Sequence, residues 1–174
     1  MTASRTLAAR SFVIPATVIT VALTVALPFL VHLLPPVGAV PMGAVLLPLF
    51  IAPFIAAYLF HPTAALIASL VTPLLNRQLT GQPTVEMAVM LTVELCAFTV
   101  VALLLRSRWP RSVINAPLAY LAAKLVAAGV LGVTALIPAL PLGYLTSSLI
   151  NALPGLVLLL VVNVLVVRGL SSRS

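Results

Sequence analysis

The chain has 174 residues, of which 63% are hydrophobic and 6% are charged, and its mean hydropathy is +1.29. A soluble domain has about 25% charged residues, so this composition excludes an ordinary water-soluble fold and places much of the apolar surface against lipid. The net charge of +7 does not indicate a nucleic-acid binder, because the Lys and Arg residues separate apolar runs instead of clustering on a polar face.

Six apolar segments are long enough to cross a bilayer, whose hydrocarbon core of about 30 Å requires about 20 helical residues. The first follows Arg5 and Arg10 and exceeds the apolar part of a secretory signal, so it is predicted to be a transmembrane helix. Only His61-Pro62 divides the second and third segments, and a tight turn is predicted there because proline disfavours helical geometry in the preceding residue. We expect one transmembrane domain over 1–174, with spans near 12–34, 40–60, 62–79, 85–105, 113–137 and 143–167.

The basic residues predict that both termini are cytoplasmic, because Lys and Arg in short loops stay on that side of the membrane. With six spans and a cytoplasmic N-terminus, Arg77 is the only one of the nine Lys and Arg residues predicted outside, and Lys124 is the only one predicted within the membrane. An odd number of spans would place the arginines of 106–111 and those of the C-terminus on opposite sides. The predicted cytoplasmic residues are Arg5, Arg10, Arg106, Arg108, Arg111, Arg168 and Arg173.

The chain contains 15 prolines, and several fall within the predicted spans. Each removes a backbone donor and bends its helix. The predicted fold is therefore an all-α integral membrane protein, a bundle of six kinked transmembrane helices. Kinks leave room for an internal cavity, but they also serve as packing devices, and the sequence leaves both possibilities open. The prolines concerned are Pro15, Pro28, Pro48, Pro53, Pro73, Pro117 and Pro154.

Glu86, Glu94 and Lys124 are ionisable residues in or at the edge of predicted spans. Such groups cost about 2.5–3.5 kcal/mol on insertion scales, so they usually face a bundle interior or water. From the predicted outer helix ends, Glu94 lies about 13 Å deep and Lys124 about 20 Å deep. We hypothesise that these two face the same interior, either paired or separated by a polar ligand. The alternative is a purely structural ion pair.

Further candidates lie toward the predicted outer side. Asn151, eight residues into the sixth span, could join the layer of Glu94 and Lys124 or simply form an interhelical hydrogen bond. Arg77 and Glu86 belong to one polar external loop that could cover a cavity or merely be solvated, and Tyr144 begins the sixth span nearby. The candidate substrate-binding residues are Glu94, Lys124, Asn151, Glu86, Arg77 and Tyr144.

Small residues repeat every four positions in the first predicted span. Ala22 and Ala26 form one such pair, and Ala16, Thr20 and Thr24 form an adjoining stripe. Small residues at this spacing let another helix approach closely. The sequence does not say whether that helix belongs to this chain or to a partner.

The sequence contains no phosphate-binding loop, no HExxH motif and no supported nucleophile–base arrangement. Cys96 is the sole cysteine, which excludes an intrachain disulfide and a cysteine-based metal site. His32 and His61 are predicted on opposite membrane faces and so cannot share a metal. We therefore expect no enzyme activity, no cofactor and no metal.

The stretch GAVLLPLFIAPFIAAYLFHPTAALIASLVTPLL at 43–75, followed by QPTVEMAVMLTVEL at 82–95, resembles the substrate-specific S components of energy-coupling factor (ECF) transporters. The chain length, six short spans and cytoplasmic termini are also similar to that family. These patterns are degenerate and indicate a superfamily, not one vitamin. The Arg-rich first helix expected of a biotin-type component is lacking.

The resemblance implies a function as well as a fold. It implies a subunit of a bacterial plasma-membrane importer that captures a vitamin or similar micronutrient in an outward-open cavity. It further implies that Ala22 and Ala26 dock on a transmembrane coupling subunit, and that cytoplasmic ATPases drive release inside. The alternative is an MreD-like membrane scaffold without a small-molecule ligand, in which Glu94 and Lys124 are packing residues.

Overall fold

The computed structural model describes the backbone of residues 2–36 and 40–171, and the side chains of 12–36 and 40–170. The described chain is all-helical and has no strand. Its helices are α1 (Thr2–His32), α2 (Met42–Leu46), α3 (Pro48–Leu59), α4 (Pro62–Thr80), α5 (Val85–Arg108), α6 (Asn115–Thr134), α7 (Pro141–Asn151) and α8 (Leu153–Ser171).

Five segments are long and apolar enough to cross a membrane, which is consistent with a multi-pass membrane protein. They are Phe12–His32, Met42–Leu59, Val85–Arg108, Asn115–Thr134 and Leu153–Leu170. The predicted span 62–79 corresponds to α4, whose 19 residues include Asn76, Arg77 and Gln78 near its end. These polar residues lower its hydropathy, so α4 is not among the five, and the sixth span stays a prediction.

Two predicted spans are not continuous helices. The segment 40–60 is divided at Leu47, which has φ +54° and separates α2 from α3. The segment 143–167 is divided at Ala152, because Pro154 cannot donate a backbone hydrogen bond and lies at the second position of α8. The predicted end of the fifth span at residue 137 is also too late, since α6 ends at Thr134 before Ala135 with φ +48°.

The prolines act in two different ways. Pro15, Pro28, Pro53 and Pro73 lie inside helices, as the kinked bundle requires. Pro48, Pro117 and Pro154 lie in the first turn of their helices, where the missing backbone donor is not needed. At the predicted turn, α3 ends at Leu59 and α4 begins at Pro62, with the His61 ring accepting from Thr63 N at 3.2 Å.

The core lies between α3, α5, α6 and α8 and combines aromatic rings with alanines. Phe50 meets Phe98 and Tyr120 edge to face, with ring centroids 5.0 and 5.2 Å apart. Buried alanines let the helix backbones approach closely. A Cβ on Gly155 of α8 would lie 2.6 Å from Cγ of Leu47, so the start of α8 packs closely against the break between α2 and α3. The buried alanines of this cluster are Ala56, Ala57, Ala65, Ala102, Ala116, Ala119, Ala123 and Ala152.

Candidate functional site

A cavity of about 840 Å³ lies toward one end of the described helices. Its wall comes from the end of α1, from α2 and α3, from the end of α4 with the following loop, and from α5, α6 and α7. The exposed residues Thr80 and Gln82 belong to this wall, so the cavity reaches the end of the bundle that carries the α4–α5 loop. Arg106 and Arg108 lie in the last turn of α5, at the other end.

Glu94 and Lys124 form a buried ion pair in the cavity wall. Lys124 Nζ lies 2.7 Å from Glu94 Oε1, and the two residues are 6% and 0% exposed respectively. The structure therefore brings together the two residues for which the sequence predicted a shared interior. Because α6 ends at Thr134, Lys124 is about 15 Å from that end, close to the depth of about 14 Å for Glu94 from the start of α5.

Two tyrosines complete this polar centre. The Tyr144 hydroxyl of α7 donates to Glu94 Oε1, and Lys124 Nζ lies 3.5 Å from the same hydroxyl. Lys124 Nζ also lies 5.0 Å from the Tyr144 ring centroid and 5.5 Å from that of Tyr120. Aromatic faces attract a desolvated cation. The ammonium is thus held by one carboxylate oxygen and two aromatic rings.

The second carboxylate oxygen of Glu94 is different. Among the described residues it has no hydrogen-bond partner, although it is buried. A buried polar atom without a partner is uncommon and unfavourable. Thr72 Oγ1 and Asn115 Oδ1 share this state, but of the three residues only Glu94 lines the cavity.

Other polar groups stand around the same cavity. Asn151, Ser147 and Ser148 come from α7, and Asn76 comes from the end of α4. His32 also contributes, with Nδ1 2.6 Å from the carbonyl oxygen of Pro28. An amide side chain offers both donors and an acceptor, so these groups could form hydrogen bonds with a polar ligand.

The structure does not bring Arg77 and Glu86 into the cavity wall. Arg77 Nη1 donates to the carbonyl oxygen of Pro83 at 2.7 Å and thereby closes the loop between α4 and α5. Glu86 is exposed in the first turn of α5, where a carboxylate suits the helix dipole. Both residues shape the loop and the helix start that border the site.

Sequence reasoning did not select Tyr120, Phe50, Ser147 and Ser148, which also line the cavity. One signal could have identified Tyr120, because it precedes Lys124 by four residues and so shares its face of α6. Phe50 gave no such signal, since it lies in a uniformly apolar run.

The small residues of α1 divide between the inside and the outside of the bundle. Ala16, Thr20 and Thr24 are buried, and each threonine hydroxyl donates at 2.6 Å to the carbonyl oxygen four residues earlier. Ala22 and Ala26 are exposed and line an apolar groove of about 770 Å³, here called the α1 groove. The stripe with threonines therefore packs within this chain, and the Ala22–Ala26 face does not.

A second buried polar cluster lies at the arginine end. Asn115 Nδ2 donates to the Tyr58 hydroxyl at 2.7 Å and to the Trp109 carbonyl at 2.8 Å. Asn163 accepts from Ala116 N at 2.7 Å and donates to the Ser112 carbonyl at 2.9 Å. These bonds tie α3, α6 and α8 to the α5–α6 loop, so both asparagines contribute to helix packing.

Within the described ranges, no group of three or more His, Cys, Asp or Glu side chains is arranged to hold a metal ion. Comparison with known proteins gives no matching family model, no matching curated protein and no matching solved structure.

Proposed function

We propose that this chain is the substrate-binding membrane subunit of an ECF-type importer in the bacterial plasma membrane, capturing a vitamin-like molecule from outside. The observation that carries the proposal is the polar centre of Glu94, Lys124 and Tyr144 in the wall of a cavity of about 840 Å³. Ligand sites are typically cavities of about 300–1,000 Å³ with apolar walls and a few convergent polar groups. The sequence resemblance to S components supplies the transporter class.

The proposed topology has six spans, with α4 as the third. The Ala57 carbonyl near the end of α3 accepts from Arg106, so the α3–α4 turn lies at the arginine end. The other end of α4 carries Asn76 and Thr80, which line the cavity. At 1.5 Å per residue its 19 residues cover about 28 Å, close to the hydrocarbon thickness.

With six spans both termini lie on the same side of the membrane, which we propose is the cytoplasmic side, and the cavity opens on the other. The arginine end then has Arg106, Arg108 and Arg111 in one short loop, and Arg168 in the last turn of α8. The positive-inside preference favours this end as the cytoplasmic one.

The α1 groove is the proposed docking face for a transmembrane coupling subunit that transmits work from cytoplasmic ATPases. Ala22 and Ala26 are exposed there, and small side chains allow close approach of a second helix. Ala26→Leu should abolish co-purification of such a subunit without changing ligand retention, because the groove does not share Ala26 with the cavity. Loss of ligand retention in this variant would contradict the separation of the two surfaces.

The central experiment is native mass spectrometry of the gently purified chain. A retained small molecule is expected in the wild type and is expected to be absent from the folded fraction of Glu94→Gln. Glu86→Gln makes the same chemical change on the same helix outside the cavity and should retain the molecule. Loss of folded yield with intact binding would mean that Glu94 is a structural residue and not part of the binding site. Absence of a retained molecule in well-folded protein would favour the MreD-like scaffold.

A further inference from the structure

The cavity contains one buried hydrogen-bond acceptor that the described side chains do not satisfy. Glu94 is 0% exposed, its Oε1 accepts from Lys124 and Tyr144, and its Oε2 has no partner within the described part of the chain. A carboxylate oxygen in this state requires an N–H or O–H donor. Since Glu94 lines the cavity, the cavity is the space from which such a donor can come.

The charges of the cavity wall already balance. Glu94 and Lys124 are the only acidic and basic side chains of the described wall, apart from the His32 imidazole near the exposed end. A cationic ligand at Glu94 would meet the Lys124 ammonium, which lies 2.7 Å from the carboxylate. An anionic ligand would meet the carboxylate, and two tyrosine rings at 5.0 and 5.5 Å already flank the ammonium.

The rest of the wall is mainly apolar. Phe50, Leu47, Met87 and Leu91 contribute apolar surface next to the polar centre. A net charge on the ligand would therefore stay uncompensated at low dielectric, where the cost of an unpaired ion is largest. Besides the Glu94 carboxylate, the cavity wall offers the side-chain amide of Asn151, a neutral hydrogen-bonding group.

Resting on the function proposed above, we propose that the cavity selects an apolar ligand of zero net charge that places an N–H or O–H donor on Glu94 Oε2. Amide, lactam and enol groups have this chemistry. Carboxylates and quaternary amines do not.

Four bicyclic probes of nearly equal size test this selectivity: carbostyril, a neutral lactam with an N–H; its N-methyl derivative; the anion quinaldate; and the N-methylquinolinium cation. Thermal unfolding of the purified chain in detergent is followed with a thiol-reactive dye that reports exposure of Cys96, the sole cysteine. Carbostyril should raise the melting temperature, and the N-methyl derivative should bind about tenfold more weakly because it leaves the acceptor unpaired.

Variants of the ion pair should change the charge preference in opposite directions. Glu94→Gln leaves the wall with one net positive charge, so quinaldate should bind at least about tenfold more tightly and carbostyril more weakly. Lys124→Met should favour the quinolinium cation. If either single variant fails to fold, the neutral double variant Glu94→Gln/Lys124→Met should bind neither ion. Glu86→Gln, which lies outside the wall, should keep the wild-type order of the four probes.

The outcomes separate the two proposals. If the wild type binds quinaldate or N-methylquinolinium more tightly than carbostyril, the cavity does not select a neutral ligand. If it binds carbostyril and its N-methyl derivative equally, no donor to Glu94 Oε2 is required. Either result would overturn the proposal made here and leave ligand binding itself intact. Binding of none of the probes would count against a ligand-binding cavity, and hence against the proposed function itself.

Discussion

Replacement of Lys124 by Met is expected to lower the free energy of unfolding by about 3–5 kcal/mol, the cost of breaking a buried ion pair from one side. Met has a similar unbranched shape, so the change removes the charge with little change in packing. Glu94 is 0% exposed and would keep only the Tyr144 hydroxyl as a partner. Glu94→Gln should also destabilise, because it leaves the Lys124 ammonium without its counter-charge.

The double variant Glu94→Gln/Lys124→Met should be more stable than either single variant, since it leaves no unpaired charge. Reversible unfolding in mixed detergent micelles gives the four free energies of the cycle, and the coupling between the two sites should reach about 2–3 kcal/mol. Glu86→Gln, on the exposed first turn of α5, should stay within about 0.5 kcal/mol of wild type. Additive effects of the two single changes would refute the reasoning, because they would mean that the pair is not energetically coupled.

Two further predictions concern packing and topology. Gly155→Ala should cost about 1–3 kcal/mol, because its Cβ would lie 2.6 Å from the Leu47 side chain, whereas Gly129→Ala in α6 has no neighbour within 4 Å and should be neutral or stabilising in the same unfolding measurement. After replacement of the native cysteine, Gln82→Cys should react with a membrane-impermeant maleimide on intact cells, and Ser107→Cys should react only after permeabilisation. The reverse pattern would contradict six spans with a cytoplasmic N-terminus, because it would follow if α4 did not cross the membrane or if the whole chain were inverted.

The sequence predicts the helical segments of this protein better than their breaks. A mean hydropathy of +1.29 leaves little doubt about apolar helices, and the turn at His61-Pro62 follows from local geometry. A proline in an apolar run is ambiguous, however. Pro53 bends a continuous helix, whereas Pro48 and Pro154 each lie at the start of a new one. Packing decides between these outcomes, and hydropathy carries no information about it.

The sequence predicted residues of the site only where the free-energy cost of exposing a side chain to lipid requires that side chain to face inward. Glu94 and Lys124 are too costly in lipid to face outward, so their shared interior was predicted from that cost. The predicted depths of about 13 and 20 Å differed because the end of the fifth span was placed too late. Arg77 shows the limit of this argument, because a polar residue near a helix end can hydrogen-bond to the adjoining loop instead of a ligand, as Arg77 of α4 does with the Pro83 carbonyl. Tyr144 could be placed near the site, but its hydrogen bond to Glu94 depends on the break between α7 and α8.

The buried pair is itself an argument for function. Replacement of a buried ion pair by apolar side chains of similar volume is often neutral or stabilising, so stability alone does not explain Glu94 and Lys124. At the other end of the bundle Asn163 satisfies both ends of its amide, but Asn115 Oδ1 has no partner among the described residues, so an unpaired oxygen does not by itself indicate a ligand. Glu94 is distinguished by its position, because its oxygen without a partner among the described residues belongs to a residue that lines the cavity of about 840 Å³. An acceptor that is held rigid by Lys124 and Tyr144 and left unsatisfied is the arrangement that a binding site requires, because the missing hydrogen bond then becomes available to the ligand.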